Sequence, residues 1–134
     1  MATLYGRVTA GTGEAAAFMA LPWVRDGVRE ALGFEPYPGT LNVRLLDADT
    51  MLRWHELRER IARRLDPPAP EQCGARLVPG VAAPDVPAAV ILPDVTRYEG
   101  DVLEVIAAVH LRSHLRLRDG SVLPLRFPDG GSAQ

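Results

Sequence analysis

The sequence predicts a mainly β protein, a small closed β-barrel with two or more helices attached. Short apolar runs of strand length recur along the chain, separated by connections rich in Gly, Pro and Asp. Only two segments carry the spacing of an amphipathic helix, too few for the crossovers of a doubly wound parallel sheet. Pro38-Gly39 and Asp119-Gly120 are turn signals, and each opens onto a strand.

Tyr5 to Thr9 reads as the first strand, with Tyr5 and Arg7 on one face. Ala10-Gly11-Thr12-Gly13-Glu14 follows as a loop of small residues. Pro22 suits the first turn of a helix, where its missing N–H costs nothing. Val24, Val28, Ala31 and Leu32 recur at helical spacing, and Gly33 is a fitting C-terminal stop. In Pro36-Tyr37-Pro38-Gly39-Thr40-Leu41-Asn42-Val43, a type II turn places Gly39 at the position that needs φ > 0. That turn delivers a strand from Thr40 to Leu45. Thr40, Asn42 and Arg44 share one face, and Leu41, Val43 and Leu45 share the core face.

Asp49 or Thr50 caps a second helix that ends near Leu65. Its apolar stripe is Trp54, Leu57, Ile61 and Leu65, with Glu56–Arg60 and Glu59–Arg63 as i,i+4 pairs on the wet side. Pro67-Pro68-Ala69-Pro70 breaks the helix and forms a stiff connector. Ala75 to Val78, Ala88 to Leu92, Leu103 to Ala107 and Val122 to Phe127 complete the strands. The expected organisation is one domain over residues 1–127 and a loose polar tail over 128–134.

The 134 residues are 47% apolar and 24% charged, a balance suited to burying one real core. A net charge of −2 gives no bulk attraction to nucleic acid or to an anionic membrane, so neither is expected as a partner. All 15 basic residues are arginine. Without a lysine, a Walker P-loop and Schiff-base chemistry are both closed. The one cysteine, Cys73, cannot form an internal disulfide, which fits a reducing compartment. No apolar run reaches the roughly 18 residues of a membrane span, and the N-terminus lacks the pattern of a signal peptide. The expected location is the cytoplasm.

Several constellations carry candidate chemistry. Thr40 and Asn42 put a hydroxyl and a carboxamide two residues apart behind a rigid turn, and such hard oxygens suit Mg²⁺. The alternative is an ordinary strand with two polar residues facing water. Gly11-x-Gly13-x-x-Ala16 nominally matches a dinucleotide fingerprint, but the scarcity of helices argues against that fold. The same loop can cradle phosphate through backbone N–H groups. His110 and His114, four apart, would share a helix face, with no third metal ligand near them in sequence. Cys73 reads better as a buried structural residue than as a nucleophile. Glu104 is the lone charge in the run Val102 to Ile106. It either faces water or is held in a site, where burial raises a carboxylate toward general-base duty.

Taken together, these segments resemble the archaeal CTP-dependent riboflavin kinases, from about Gly6 to Phe127. The resemblance rests on the Gly-x-Gly-Glu loop at Gly11 to Glu14 and on Leu32 to Val43 with its Pro-Tyr-x-Gly-Thr-Leu-Asn block. It continues through Asp101 to Ala107, Leu111-Arg112 and Asp119-Gly120. It implies a cradle-loop β-barrel and transfer of the γ-phosphoryl group of CTP to the 5′-hydroxyl of riboflavin, giving FMN and CDP. Thr40 and Asn42 would hold Mg²⁺. Gly11, Thr12, Gly13, Glu14, Ala15, Ala16 and Ala17 would wrap the nucleotide phosphates, and Val109, His110, Leu111 and Arg112 would contact the nucleotide. Thr96 and Glu104 would bind the flavin, with Glu104 orienting or deprotonating the attacking hydroxyl. CTP and riboflavin are the expected partners and a monomer the expected state. A related kinase with another small alcohol as acceptor, or a flavin- or nucleotide-binding module without turnover, are the alternatives. The family loop continues Gly-Glu-Gly and then a basic or polar residue, whereas this chain runs Glu14-Ala15-Ala16-Ala17.

Overall fold

A computed structural model describes residues 1–11, 14–70, 72–95 and 101–128, with Glu14 and Ala15 described by backbone alone. In chain order the elements are β1 (Ala2–Thr9), α1 (Glu14–Met19), α2 (Pro22–Leu32), β2 (Leu41–Leu45), α3 (Ala48–Ile61) and β3 (Arg63–Leu65). There follow β4 (Ala75–Ala82), β5 (Val86–Pro93), β6 (Val102–Ala107), α4 (Leu111–His114) and β7 (Val122–Phe127). Antiparallel pairing runs β4-β5-β6-β2-β1-β7 and returns to β4 through Val81↔Arg126 and Ala82↔Leu125. Six strands therefore close on themselves, which removes the exposed edges of an open sheet. β3 lies outside the ring, paired to the first half of β4.

Two apolar layers form on the two faces of this ring. The interior gathers Leu4 and Val8 from β1, Leu41, Val43 and Leu45 from β2, Leu103 and Val105 from β6, and Leu123, Leu125 and Phe127 from β7. Trp54 and Leu57 of α3 join that cluster, with Trp54 against Phe127 at a ring separation of 5.6 Å. A second cluster sits outside the ring. There Met19, Val24 and Val28 of α1 and α2 cover Leu77, Ala89, Ile91 and Ile106. β5 and β6 are thus apolar on both faces, which is why their sequences run without alternation.

Several expectations change in detail. Residues read as a loop after β1 begin a helix at Glu14, as an alanine-rich stretch favours. The cap of α3 is Asp47, whose carboxylate accepts from the Thr50 N–H at 2.8 Å. That hydrogen bond, from the backbone of Thr50 first of all, holds the Asp47 carboxyl below its ordinary range. α3 ends at Ile61, and Leu65 leaves the helical stripe. It pairs in β3 with Ala75 and packs into the outer cluster instead. Glu59 meets Arg76 of β4 at 3.2 Å, while Arg63 donates to the carbonyl of Ala31. Gly33 ends α2 at φ 80°, and Gly39 has φ 121°, the positive value that its turn position requires.

Candidate functional site

The site begins at the junction of β1, β2 and β6. Asn42 of β2 is flanked in register by Thr9 of β1 and Glu104 of β6. Partners in register point to the same face, and here it is the outer face of the ring, since Leu41 and Val43 face inward. The Asn42 and Glu104 side chains are nonetheless buried, at 8% and 6% exposure. Neither is a polar strand residue facing water. The Thr40 hydroxyl donates to Glu104 Oε1 at 3.5 Å, a long bond. Among the described residues, Asn42 Oδ1 is buried without a hydrogen-bond partner. Such an acceptor costs about 1–3 kcal/mol unless something engages it.

Gly11 explains how the chain reaches this point. A Cβ built at Gly11 would overlap the Asn42 carboxamide, falling 2.6 Å from its Cγ and closer still to its Nδ2. The segment leaving β1 thus lies directly on Asn42, and only glycine allows that approach. On the next stretch of the same two strands, Arg44 pairs with Asp101 at 2.7 Å, and the Leu45 N–H donates to the Asp101 carbonyl.

Beside this cluster opens a cavity of about 370 Å³. Gly11, Thr40 and Asn42 line it together with Val109, His110, Leu111 and Arg112. The Tyr37 N–H donates to the Ala107 carbonyl at 2.7 Å, laying the bend before Thr40 along the end of β6. Arg112, paired with Asp119 at 3.0 Å, also lines the cavity.

Thr40, Asn42, Gly11 and the 109–112 segment, far apart in sequence, are therefore neighbours. Glu104 does not line the cavity and reaches it through Thr40. Ala16 and Ala17 lie exposed on α1, and Glu14 and Ala15 belong to the same helix. Thr12, Gly13 and Thr96 lie outside the described residues. His110 caps the short α4 and His114 ends it, and among the described residues no group of three His, Cys, Asp or Glu side chains converges on one point. Cys73 is half-buried and its thiol donates to the Gly74 carbonyl. Thr9 and Tyr37 line the cavity without having been singled out as contacts. Thr9 is legible only through its register with Asn42, and Tyr37 only through the turn that fixes it. No helix among the described residues is long and apolar enough to cross a membrane.

Fold and site define a small closed barrel with a cluster of oxygen-bearing side chains at the edge of a cavity. The chain belongs to the CTP-dependent riboflavin kinase family, whose model, described as Domain of unknown function DUF120, matches residues 8–126. A protein of Aeropyrum pernix named riboflavin kinase is 37% identical over 129 residues, covering 92% of this chain and 94% of that one. Riboflavin kinase of Thermofilum pendens is 36% identical over 94% of this chain, and that of Methanosarcina acetivorans 37% over 96%. The chain spans only 59% and 54% of the lengths of those two.

Proposed function

We propose that this chain is a riboflavin kinase, with residues 1–127 as the kinase domain, that transfers the γ-phosphoryl group of CTP to the 5′-hydroxyl of riboflavin. The observation that carries the reading is the buried Asn42 Oδ1, without a partner among the described residues, beside Thr40 and Glu104 at the point where Gly11 crosses the strand. The cluster offers a carboxamide, a hydroxyl and a carboxylate, all hard oxygens, and so fits Mg²⁺. Thr40 and Asn42 would hold the ion, which when bound neutralises charge on the phosphate oxygens.

The chain's own groups do the positioning that phosphoryl transfer chiefly needs. Acting through Thr40, whose hydroxyl donates to it, Glu104 orients the riboflavin 5′-hydroxyl and takes up the proton released as that oxygen bonds to the γ-phosphorus. The bond between that phosphorus and the bridging oxygen breaks, and CDP leaves with the electron pair. Arg112 supplies the cationic wall for the nucleotide, a role that needs no lysine. Gly11, which lies on Asn42, brings its backbone to the phosphates. Thr40 holds the Glu104 carboxylate toward the reacting end of the cavity.

The test is a turnover assay with Mg²⁺, riboflavin and either CTP or ATP, scoring FMN by chromatography. FMN from CTP supports the reading. CTP consumed only with a different alcohol would reassign the acceptor, and CDP bound tightly with no product would leave a binding module.

A further inference from the structure

Asn42 has a cross-strand neighbour on each side. Glu104 of β6 flanks it on one, and Thr9, the last residue of β1, flanks it on the other. Residues in register share a face, so all three side chains belong to the outer face of the ring. The Thr40 hydroxyl engages the Glu104 end of this row. Thr9 stands at the opposite end and lines the cavity with Thr40 and Asn42. It is half-buried, and among the described residues no hydrogen bond engages its hydroxyl. The row therefore ends in an uncommitted oxygen at the cavity.

Mg²⁺ is octahedral and dehydrates reluctantly, so it keeps several waters beside a few protein and phosphate oxygens. Those waters need acceptors, and groups that supply them are as much part of a metal site as its ligands. Ligand bonds of about 2.1 Å and a hydrogen bond of about 2.8 Å place such an acceptor roughly 4–5 Å from the ion. Side chains directly opposite on adjacent strands start about 4.5–5.5 Å apart at Cβ, a matching separation. The threonine hydroxyl is one bond from Cβ, a short reach that suits the hydration layer better than the ion itself. We propose that Thr9 is a positioning residue of this site, its hydroxyl accepting a hydrogen bond from a water of the Mg²⁺ held by Thr40 and Asn42. The proposal rests on the Mg²⁺ reading of those two residues.

Thr9→Val tests this, since valine keeps the branched shape that suits a strand and removes the hydroxyl. Mn²⁺ is titrated into protein with equimolar CDP, and EPR of the free ion gives the affinity. Thr9→Val weakens Mn²⁺ binding by about tenfold to a hundredfold, as loss of an outer partner does. Thr9→Ala gives the same loss, and Thr9→Ser restores the wild-type affinity. The Mg²⁺ concentration that half-saturates FMN formation rises in parallel, while KM for riboflavin stays at its wild-type value. The number of waters on the bound Mn²⁺, counted by water-proton relaxation, is the same in wild type and Thr9→Val. An additional water in Thr9→Val would make Thr9 a direct ligand and overturn the proposal. A raised KM for riboflavin with Mn²⁺ affinity intact would move Thr9 to the acceptor and overturn it too. Unchanged Mn²⁺ affinity in Thr9→Val beside a large loss in Asn42→Ala would overturn the proposal and leave the Mg²⁺ reading standing. Unchanged affinity in Asn42→Ala as well would contradict both.

Discussion

Gly11→Ala isolates the contact on which the site is built. Gly11 does not adopt positive φ, so alanine meets no backbone penalty there. All of the cost lies in the added methyl, which would sit 2.6 Å from Cγ and 3.1 Å from Oδ1 of Asn42. Heavy atoms in contact prefer about 3.5–4.0 Å, and the methyl would lie nearer still to Nδ2, so the carboxamide must retreat by more than about 1 Å. Overpacking of this kind costs roughly 1–3 kcal/mol. The smaller entropy of the unfolded chain returns about 0.4–1 kcal/mol, leaving a net loss of stability of about 2 kcal/mol or less. Activity is far more exposed, because a misplacement of 1 Å costs on the order of 100-fold. The assay is kcat/KM for CTP-dependent FMN formation beside urea denaturation, for Gly11→Ala, Asn42→Ala and the double variant. Asn42→Ala alone loses most activity while the fold remains. If Gly11→Ala acts through Asn42, adding it to Asn42→Ala changes kcat/KM little further. Losses that multiply in the double variant, or a Gly11→Ala enzyme within about twofold of wild type, would refute the reasoning.

Three further outcomes are expected. Glu104→Gln keeps the shape of the buried carboxylate and removes its proton-accepting charge, so kcat falls more than CDP affinity; steady-state kinetics beside calorimetry separate the two, and a pure affinity loss would place Glu104 on the nucleotide. Trp54→Ala leaves a void against Phe127 in the barrel interior and costs about 3–5 kcal/mol in urea denaturation. Acid destabilises the fold: the Arg64 hydrogen bonds hold the Asp94 carboxyl below its ordinary range, and Arg25 and Arg29 do the same for Glu35. A depressed carboxylate contributes stability that is present above its unfolded value, near pH 4, and lost as pH falls through the folded one. Thermal melts should therefore hold level from pH 7 to about 5 and drop below 4, and a melt that rises on acidification would contradict the assignment.

The barrel was legible because strand length and turn chemistry are local signals. The Leu41, Val43 and Leu45 alternation and the positive φ of Gly39 both appear in the structure as the sequence implies. Helix boundaries were less legible. Leu65 fits the helical stripe of α3 by spacing alone, and its place in β3 depends on pairing with Ala75, a partner the local sequence does not reveal. The burial of Asn42 and Glu104 was undecidable from alternation, since a polar outer-face position reads as wet unless another segment covers it. Gly11 supplies that cover for Asn42, through a contact between residues 31 apart in the chain. The His110 imidazole was weighed as a metal ligand because of His114. Its partners proved to be Ser113 and Tyr37, the second from the connection between α2 and β2.

The central claim is that the Gly11, Thr40, Asn42 and Glu104 cluster serves phosphoryl transfer from CTP to riboflavin. The most direct test incubates the purified protein with Mg²⁺ and riboflavin, with CTP and ATP in parallel, and quantifies FMN for wild type and Asn42→Ala. The account predicts FMN from CTP, little from ATP, and almost none from Asn42→Ala with its fold retained. No FMN from either donor, or equal turnover by Asn42→Ala, would contradict it.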